Sequence, residues 1–300
     1  MKDPKKFTDL GGYTFELLRY VDTKDLQWSA FNPSISYSPE QGYKIAIRSS
    51  NFIWKNNQSV AVLTGSQVKT NIWIGDLDRN LNLKNLSMVD NSKVRDLHGQ
   101  RLKRGIEDPR LIWRDNSWQY SATIWEPETR EIPFAKMCTA YLDENLSIHK
   151  LQLHDSPNPR KVEKNWMPSH RESEKFDFVY SYNSVLKDGV VIKGPDTYSH
   201  MKLRGGSQLL PLGNETYIAI THTTEILPDS RRRYLHYFTL YNLEGFAIGI
   251  SDPFYFIKPD IEFAAGLVEL DGNLVISFGY LDESSHLAVI PTDKALQLIK

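Results

Sequence analysis

The sequence predicts an all-β chain folded as a five-bladed β-propeller, and three observations lead there. One hairpin design recurs five times along the 300 residues, helical periodicity of any length is scarce, and no linker or low-complexity stretch divides the chain. Recurrence at a spacing of tens of residues is what arrays and propellers show. A β-sandwich also presents hairpins at such spacing and is the competing all-β reading.

Each repeat opens with a short apolar strand led by small or polar residues, turns, and returns in a strand that ends on a polar side chain. The first runs from Phe31 to Ile35, turns at Pro39 to Gly42 and returns from Tyr43 to Arg48. The second joins Glu107 to Trp113 with Trp118 to Trp125 through Asp115-Asn116. The third leads from Asn165 to Pro168 through a charged turn into Phe176 to Tyr182. The fourth joins Gly206 to Leu210 with Thr216 to His222 through Gly213-Asn214, and the fifth joins Phe263 to Val268 with Asn273 to Phe278 through Asp271-Gly272. Alternating β-branched and aromatic residues support the strands, and Gly, Asn and Asp support the turns. The second strands begin near positions 43, 118, 176, 216 and 273, so each interval has room for a four-stranded blade. One domain over 1–300 is expected, with 1–27 as a peripheral lead-in and a short turn of helix at 293–300.

Charge narrows the partners. With 36 basic and 37 acidic side chains the formal net charge is −1, so no global field favours nucleic acid or an anionic membrane. Cys138 is the single cysteine and no Cys/His cluster has zinc spacing, so no disulfide or metal is implied. No stretch approaches the roughly 18 apolar residues of a membrane span, and a cytoplasmic protein is expected. Monomer and homo-oligomer stay equally open.

In a propeller the first strand of every blade lines the axis, so equivalent strand ends converge on one rim. The expected set is Asn32, Asp108, Asn165, Ser207 and Ala265 from first strands. Arg48, Thr123, Tyr182, His222 and Gly279 to Asp282 join it from second-strand ends. Carboxylates, amides, Arg, His and nearby rings together suit a polyhydroxylated ligand, which needs oriented donors and acceptors between apolar faces.

Gly105-Ile106-Glu107-Asp108-Pro109-Arg110 resembles the Gly-x-Glu-Asp-Pro-Arg signature of glycoside hydrolase family 130, inverting β-mannoside phosphorylases and hydrolases, and of the related protozoan mannosyltransferase–phosphorylases. Phe31-Asn32-Pro33, Ile47-Arg48, Glu163-Lys164-Asn165-Trp166, Ile220-Thr221-His222 and Phe278-Gly279-Tyr280-Leu281-Asp282 resemble further family elements in the same order, over roughly residues 31 to 290. The resemblance implies a five-bladed propeller acting on an oligosaccharide or glycoside. Two departures, Leu203-Arg204-Gly205-Gly206-Ser207-Gln208-Leu209 and His222-Thr223-Thr224-Glu225, lie where a phosphorylase holds phosphate.

Glycosidic cleavage needs an acid at the leaving oxygen and a nucleophile at the anomeric carbon, and inverting enzymes hold the two carboxyls roughly 6.5–9.5 Å apart when water attacks. Asp108 is the expected general acid, held extended by Pro109, and the resemblance implies that it protonates through a sugar hydroxyl. That role requires a raised pKa. Glu107 is expected on the opposite strand face, and pairing with Arg110 is the structural alternative for Asp108. Glu225 is the candidate base, with a solvated loop carboxylate as its alternative. Asn32, Arg48, Asn165, Asp282, Trp166 and Tyr182 are expected to bind substrate, and Trp125 and Trp166 to stack on sugars or pack in the core. Arg48, Lys164 and His222 are the expected anion-holding set. Inorganic phosphate enters only as co-substrate of the phosphorolytic reading, and no other cofactor is implied. The run Arg231-Arg232-Arg233 is either a solvated patch or a contact for the phosphorylated donor of a nucleotide-sugar transferase. A non-catalytic glycan-binding propeller is the third functional reading.

Overall fold

The computed structural model describes residues 3–23, 26–55, 59–95, 102, 104–125, 135–157, 162–170, 175–213 and 215–300. Two expected turns touch residues outside this set: the charged turn at 171–174 and Asn214 of the Gly213-Asn214 turn.

The chain is all-β, with one α-helix among the described residues, Thr292–Gln297. Four sheets are plain antiparallel meanders. The first contains Gln27–Ser38, Gly42–Ser50, Thr70–Leu77 and Leu83–Met88, with Tyr20–Asp22 at its edge. The second runs Ile106–Arg114, Ser117–Trp125, Ala135–Leu142 and Ile148–Leu153, and the third Met167–Pro168, Phe178–Ser181, Ser184–Lys187 and Val190–Lys193. The last runs Glu262–Leu270, Asn273–Tyr280 and Ser284–Pro291, with Tyr13–Leu18 as outer strand. Two expected turns follow from backbone sign. Asp115-Asn116 has φ 54° and 53°, and Asp271-Gly272 has φ 51° and 75°. Such paired left-handed residues match the twist of the strands they join.

The arrangement is propeller-like, with four regular blades rather than the five expected. The segment expected as a fourth blade belongs instead to a seven-stranded sheet. Its first strand, anticipated over 206–210, is split into Arg204–Gly205 and Leu210–Leu212, both paired with Thr216–Ile226. Between them the backbone serves the axis. The Gly206 carbonyl accepts from Arg110 Nε at 2.7 Å, and Ile220 N–H goes to Ser207 Oγ. Arg232–Asn242, Ala247–Ile250, Phe254–Tyr255 and Lys5–Lys6 complete that sheet. The N-terminal segment therefore supplies strands to three sheets, not only a lead-in.

Side chains on the innermost strands tie the sheets together. Ser277 Oγ accepts from Ile35 N–H and donates to the Pro33 carbonyl. Leu111 N–H donates to Ser34 Oγ, and Gln208 Nε2 donates to the carbonyls of Ile35 and Leu267. Arg110 is fully buried and makes the widest tie. Beyond Gly206, it donates to the Asp108 carbonyl at 3.1 Å and to Asn165 Oδ1 at 3.0 Å, with the Phe263 ring 5.4 Å away. Its partner is thus the Asp108 backbone, not the Asp108 carboxylate. Burial pushes its pKa down to about 10, against the pull of Asp108, so it remains a cation at neutral pH.

Replacing Arg110 with Met strands three buried acceptors on three sheets. Each unsatisfied acceptor costs on the order of 1–3 kcal/mol, and relief of the buried charge offsets part of the sum. Urea denaturation of Arg110→Met is expected to show a lower midpoint with a net loss of about 2–4 kcal/mol at unchanged slope.

Candidate active site

A cavity of about 380 Å³ opens where the inner strands meet, and Asn32, Arg48, Asp108, Lys164, Asn165, His222 and Asp282 all line it. Four of these have left-handed backbone: Asn32 (φ 49°), Asp108 (φ 52°), Asn165 (φ 65°) and Asp282 (φ 53°). Asn and Asp adopt this conformation more readily than other residues with a side chain, and held examples gather at functional sites. Asn32 and Asp108 lie in register breaks of their strands, between Phe31 and Ser34 and between Glu107 and Arg110. Pro33 and Pro109, having no N–H to give the ladder, fit such breaks. The expectation that Pro109 holds Asp108 extended is therefore overturned. Gly279 makes room for this geometry, because a Cβ there would come within 2.1 Å of Asn32 Oδ1.

The break also undoes strand alternation. Glu107, expected on the opposite face, lines the same cavity and is buried. Arg48 binds both carboxylates, with NH2 at 3.0 Å from Glu107 Oε1 and NH1 at 2.9 Å from Asp108 Oδ1. Asn32 Nδ2 donates to the same Asp108 oxygen at 2.9 Å, and Lys164 Nζ lies 3.5 Å from Glu107 Oε2.

Charge then separates the two aspartates. Burial pushes the Asp108 carboxyl up, but Arg48, Lys164 and the bonds from Asn32 and Arg48 outweigh it and bring it down to about 2. Asp108 is therefore a carboxylate in the unliganded protein at neutral pH, contrary to the raised value an acid requires. Asp282 goes the other way: burial raises its pKa, Arg48 and the Trp54 hydrogen bond oppose, and Asp108 and Glu107 add to the rise. Burial disfavours the Arg48 charge, yet Glu107, Asp108 and Asp282 hold it firmly protonated.

Four expectations change. Glu225 is absent from the cavity lining, and its carboxylate is tied across the strand pair to Arg233. Tyr182 does not line the cavity either; its hydroxyl donates to Asp196 at 3.1 Å in the turn of the third sheet. Trp166 is 1% exposed and its indole N–H donates to Glu163, which also accepts from Tyr180 and Ser156. That closed network makes Trp166 a core residue. His222 lines the cavity but is buried, stacked on Tyr234 at 5.4 Å. Burial, then His236, Arg204 and Arg110, push its pKa far down, so it contributes no positive charge toward an anion.

Sequence reasoning also passed over contributors. The inserted hairpin Phe52–Lys55/Ser59–Val62 puts Phe52, Trp54 and Val60 on the cavity wall. Arg104, Arg204, Tyr234, Ile261 and Phe263 join from elsewhere. Trp125 lines the wall beneath two cations, Lys164 at 4.5 Å and Arg104 at 5.3 Å from its centroid. The run Arg231-Arg232-Arg233 divides: Arg231 and Arg233 pair with Asp229 and Glu225, and Arg232 alone reaches the cavity.

No family model matches the chain, and no curated protein matches it in sequence. Solved structures do match in fold. One is the β-1,2-mannobiose phosphorylase from Listeria innocua in complex with β-1,2-mannobiose, with TM-score 0.63 and 12% identity over 96% of this chain and 99% of that one. The chain shares its fold. A second is a structure from the GH130 family of mannoside phosphorylases, reported with glycoside hydrolases that target β-1,2 mannosidic linkages in Candida mannan; its TM-score is 0.60 at 12% identity, covering 88% of this chain and 84% of that one. A third is a GDP-Man-dependent mannosyltransferase from Leishmania mexicana, with TM-score 0.51 and 11% identity over 88% of this chain and 85% of that one. Neighbours of family 130 are β-propellers, in line with the resemblance carried by the Glu-Asp-Pro-Arg motif. Among the described residues no helix is long and apolar enough to cross a membrane.

A buried histidine beneath the cavity gives this core a pH dependence. His236 packs beside His222, with ring centroids 6.4 Å apart, and burial pushes its pKa down to about 3 against an opposing backbone contact from Glu262. The unfolded chain protonates this ring below about pH 6.5, whereas the native state refuses the proton until far lower. Stability present above that pH is thus lost as pH falls, by up to ~1.4 kcal/mol per pH unit from this ring. His236→Phe, packing on Phe254 and Phe256, is expected to flatten the decline between pH 6 and pH 4. Denaturant titrations across that range check it, and parallel declines in both proteins would assign the acid sensitivity to other groups.

Proposed function

We propose that this protein is a carbohydrate-active enzyme that cleaves a β-mannoside-like glycosidic bond with inversion, by hydrolysis or phosphorolysis, with Asp108 as the proton donor. The observation that carries the reading is a carboxylate on a left-handed strand break, pointed into an axial cavity and surrounded by amide, guanidinium and indole groups. We further propose that the whole chain acts as one domain and that the seven-stranded sheet serves as a fifth blade around that axis. The fold shared with mannoside phosphorylases and hydrolases supports the sugar class.

The lowered pKa of Asp108 shapes the mechanism. A carboxylate bound by Arg48 and Asn32 gains its proton only once a glycoside fills the cavity, excludes water and sets a sugar hydroxyl against it. That hydroxyl then relays the proton to the departing oxygen as the nucleophile attacks the opposite side of the anomeric carbon. The nucleophile is water, or phosphate held by Arg48 and Lys164. In the unliganded protein the two carboxyls are shifted apart, Asp108 downward and Asp282 upward, so donation from Asp108 depends on the bound glycoside reversing its shift. Asn32 and Asn165 present amides to hydroxyls.

A second reading, glycosyl transfer from a nucleotide sugar, has one observation in its favour. Arg48, Arg104, Lys164, Arg204 and Arg232 line the cavity against three carboxylates, Glu107, Asp108 and Asp282. With His222 uncharged, the wall is net positive and suits a donor bearing phosphates. The likeness to a GDP-Man-dependent transferase is consistent with it.

The readings separate in one assay. Incubation with β-1,2-mannobiose and longer mannooligosaccharides is expected to yield mannose 1-phosphate only when phosphate is present, or free mannose without it. Acceptor-dependent release of GDP from GDP-mannose selects transfer instead. Asn keeps the left-handed backbone and both polar contacts at position 108 but supplies no acid. Asp108→Asn is therefore expected to stay folded with a modestly lower melting temperature and lose about 10²–10⁴-fold in turnover. A fully active Asp108→Asn protein would overturn the assignment.

A further inference from the structure

The hairpin Phe52–Lys55/Ser59–Val62 belongs to none of the main sheets, yet it is firmly placed. Asn51, buried at its base, donates to the carbonyls of Thr64 and Gln67 and accepts from Lys69 N–H. Phe52 meets Phe31 edge-on at 5.7 Å. Trp54 is held at two points. Its indole N–H donates to Asp282 Oδ2 at 2.7 Å, and the Arg232 guanidinium lies over its ring at 5.0 Å.

Asp282 is otherwise unspent. Among the described residues Trp54 is the only hydrogen-bond donor to its carboxylate, so Oδ1 and the second lone pair of Oδ2 have acceptor capacity to offer the cavity it lines. A flat indole beside a carboxylate with unfilled acceptor positions is what a pyranose requires. Its C–H face packs on a ring, and its hydroxyls donate to an acid oxygen.

We propose that Trp54 is both a sugar platform and the positioning residue for Asp282: its ring receives a face of the sugar, and its N–H aims the carboxylate at the hydroxyls of that sugar. The proposal rests on the reading of the cavity as a glycoside site, and it assigns substrate choice to a hairpin inserted into the first sheet. Arg232 lies over one face of the ring, which leaves the other to the sugar and gives the middle member of the arginine run a function. The charged and titratable groups facing Asp282 are Arg48, Glu107, Asp108 and Tyr234, with Arg232 beyond the indole.

The indole itself reports the interaction. In ¹⁵N-labelled protein, the Trp54 N–H resonance, assigned by its loss in Trp54→Phe, is expected to shift with pH in one step. That step should vanish in Asp282→Asn, and β-1,2-mannobiose should move the same resonance. Trp54→Phe keeps a ring and loses the donor, so KM should rise by less than in Trp54→Ala while the pH midpoint of turnover rises, because the ionised form of Asp282 loses a hydrogen bond. Trp54→Ala loses the platform as well and should raise KM about tenfold. A Trp54 resonance indifferent to pH, or one whose step survives Asp282→Asn, overturns the positioning role. A native pH profile in Trp54→Phe does the same. Native protein that never turns over the disaccharide, with the indole still responding to it, would count against catalysis and leave the sugar platform standing.

Discussion

The constraint from which the site follows is the buried guanidinium of Arg110. It has no carboxylate of its own and is satisfied by three oxygens from three sheets: the Asp108 carbonyl, Asn165 Oδ1 and the Gly206 carbonyl. A cation deprived of water must keep all such partners or lose several kcal/mol, roughly the cost of an uncompensated buried charge. Each partner is consequently fixed in direction. Gly206 turns its carbonyl inward and interrupts its strand, Asn165 offers Oδ1 from a left-handed backbone, and the peptide after Asp108 faces the guanidinium. With that peptide held, the Asp108 side chain is delivered to the cavity on the other side.

Opposed environments on one small wall follow from this. Arg48 reaches Glu107 and Asp108 directly and Asp282 only through space, so the same guanidinium stabilises one aspartate as an anion and leaves the other under the influence of burial. The cavity therefore contains two carboxyls of unlike proton affinity and a net positive rim. Left-handed residues at Asn32, Asp108, Asn165 and Asp282 store conformational strain of about 1–3 kcal/mol each, which the surrounding sheets must offset. Such strain is gathered on the wall of one cavity.

Much of this was legible in the chain before folding. The first, second and fifth hairpins formed at their positions, and Asn32, Arg48, Asp108, Lys164, Asn165, His222 and Asp282 do share one cavity. These positions were legible because repeated strand ends converge on one rim and because the motifs that carry them resemble those of a known family. Glu225, Tyr182 and Trp166 were misplaced for a common reason: each has a closer partner elsewhere. Arg233 faces Glu225 across a two-strand ladder, Asp196 takes the Tyr182 hydroxyl, and Glu163 draws the Trp166 indole into the core. Glu107 was assigned to the wrong face because alternation fails wherever a residue is added to a strand.

The sequence by itself determined the elements: where strands run and where Asp-Asn and Asp-Gly reverse them. Those outcomes depend on the backbone preferences of a few neighbouring residues, and so they can be read along the chain. The tertiary structure decided the rest. It split the expected fourth first strand, brought the Trp54 hairpin over a carboxylate 228 residues away, and drove the proton affinities of Asp108 and Asp282 apart. Direction out of a strand break and proton affinity in a buried site depend on all the dipoles and charges within a few ångströms, and here those come from sheets distant in sequence.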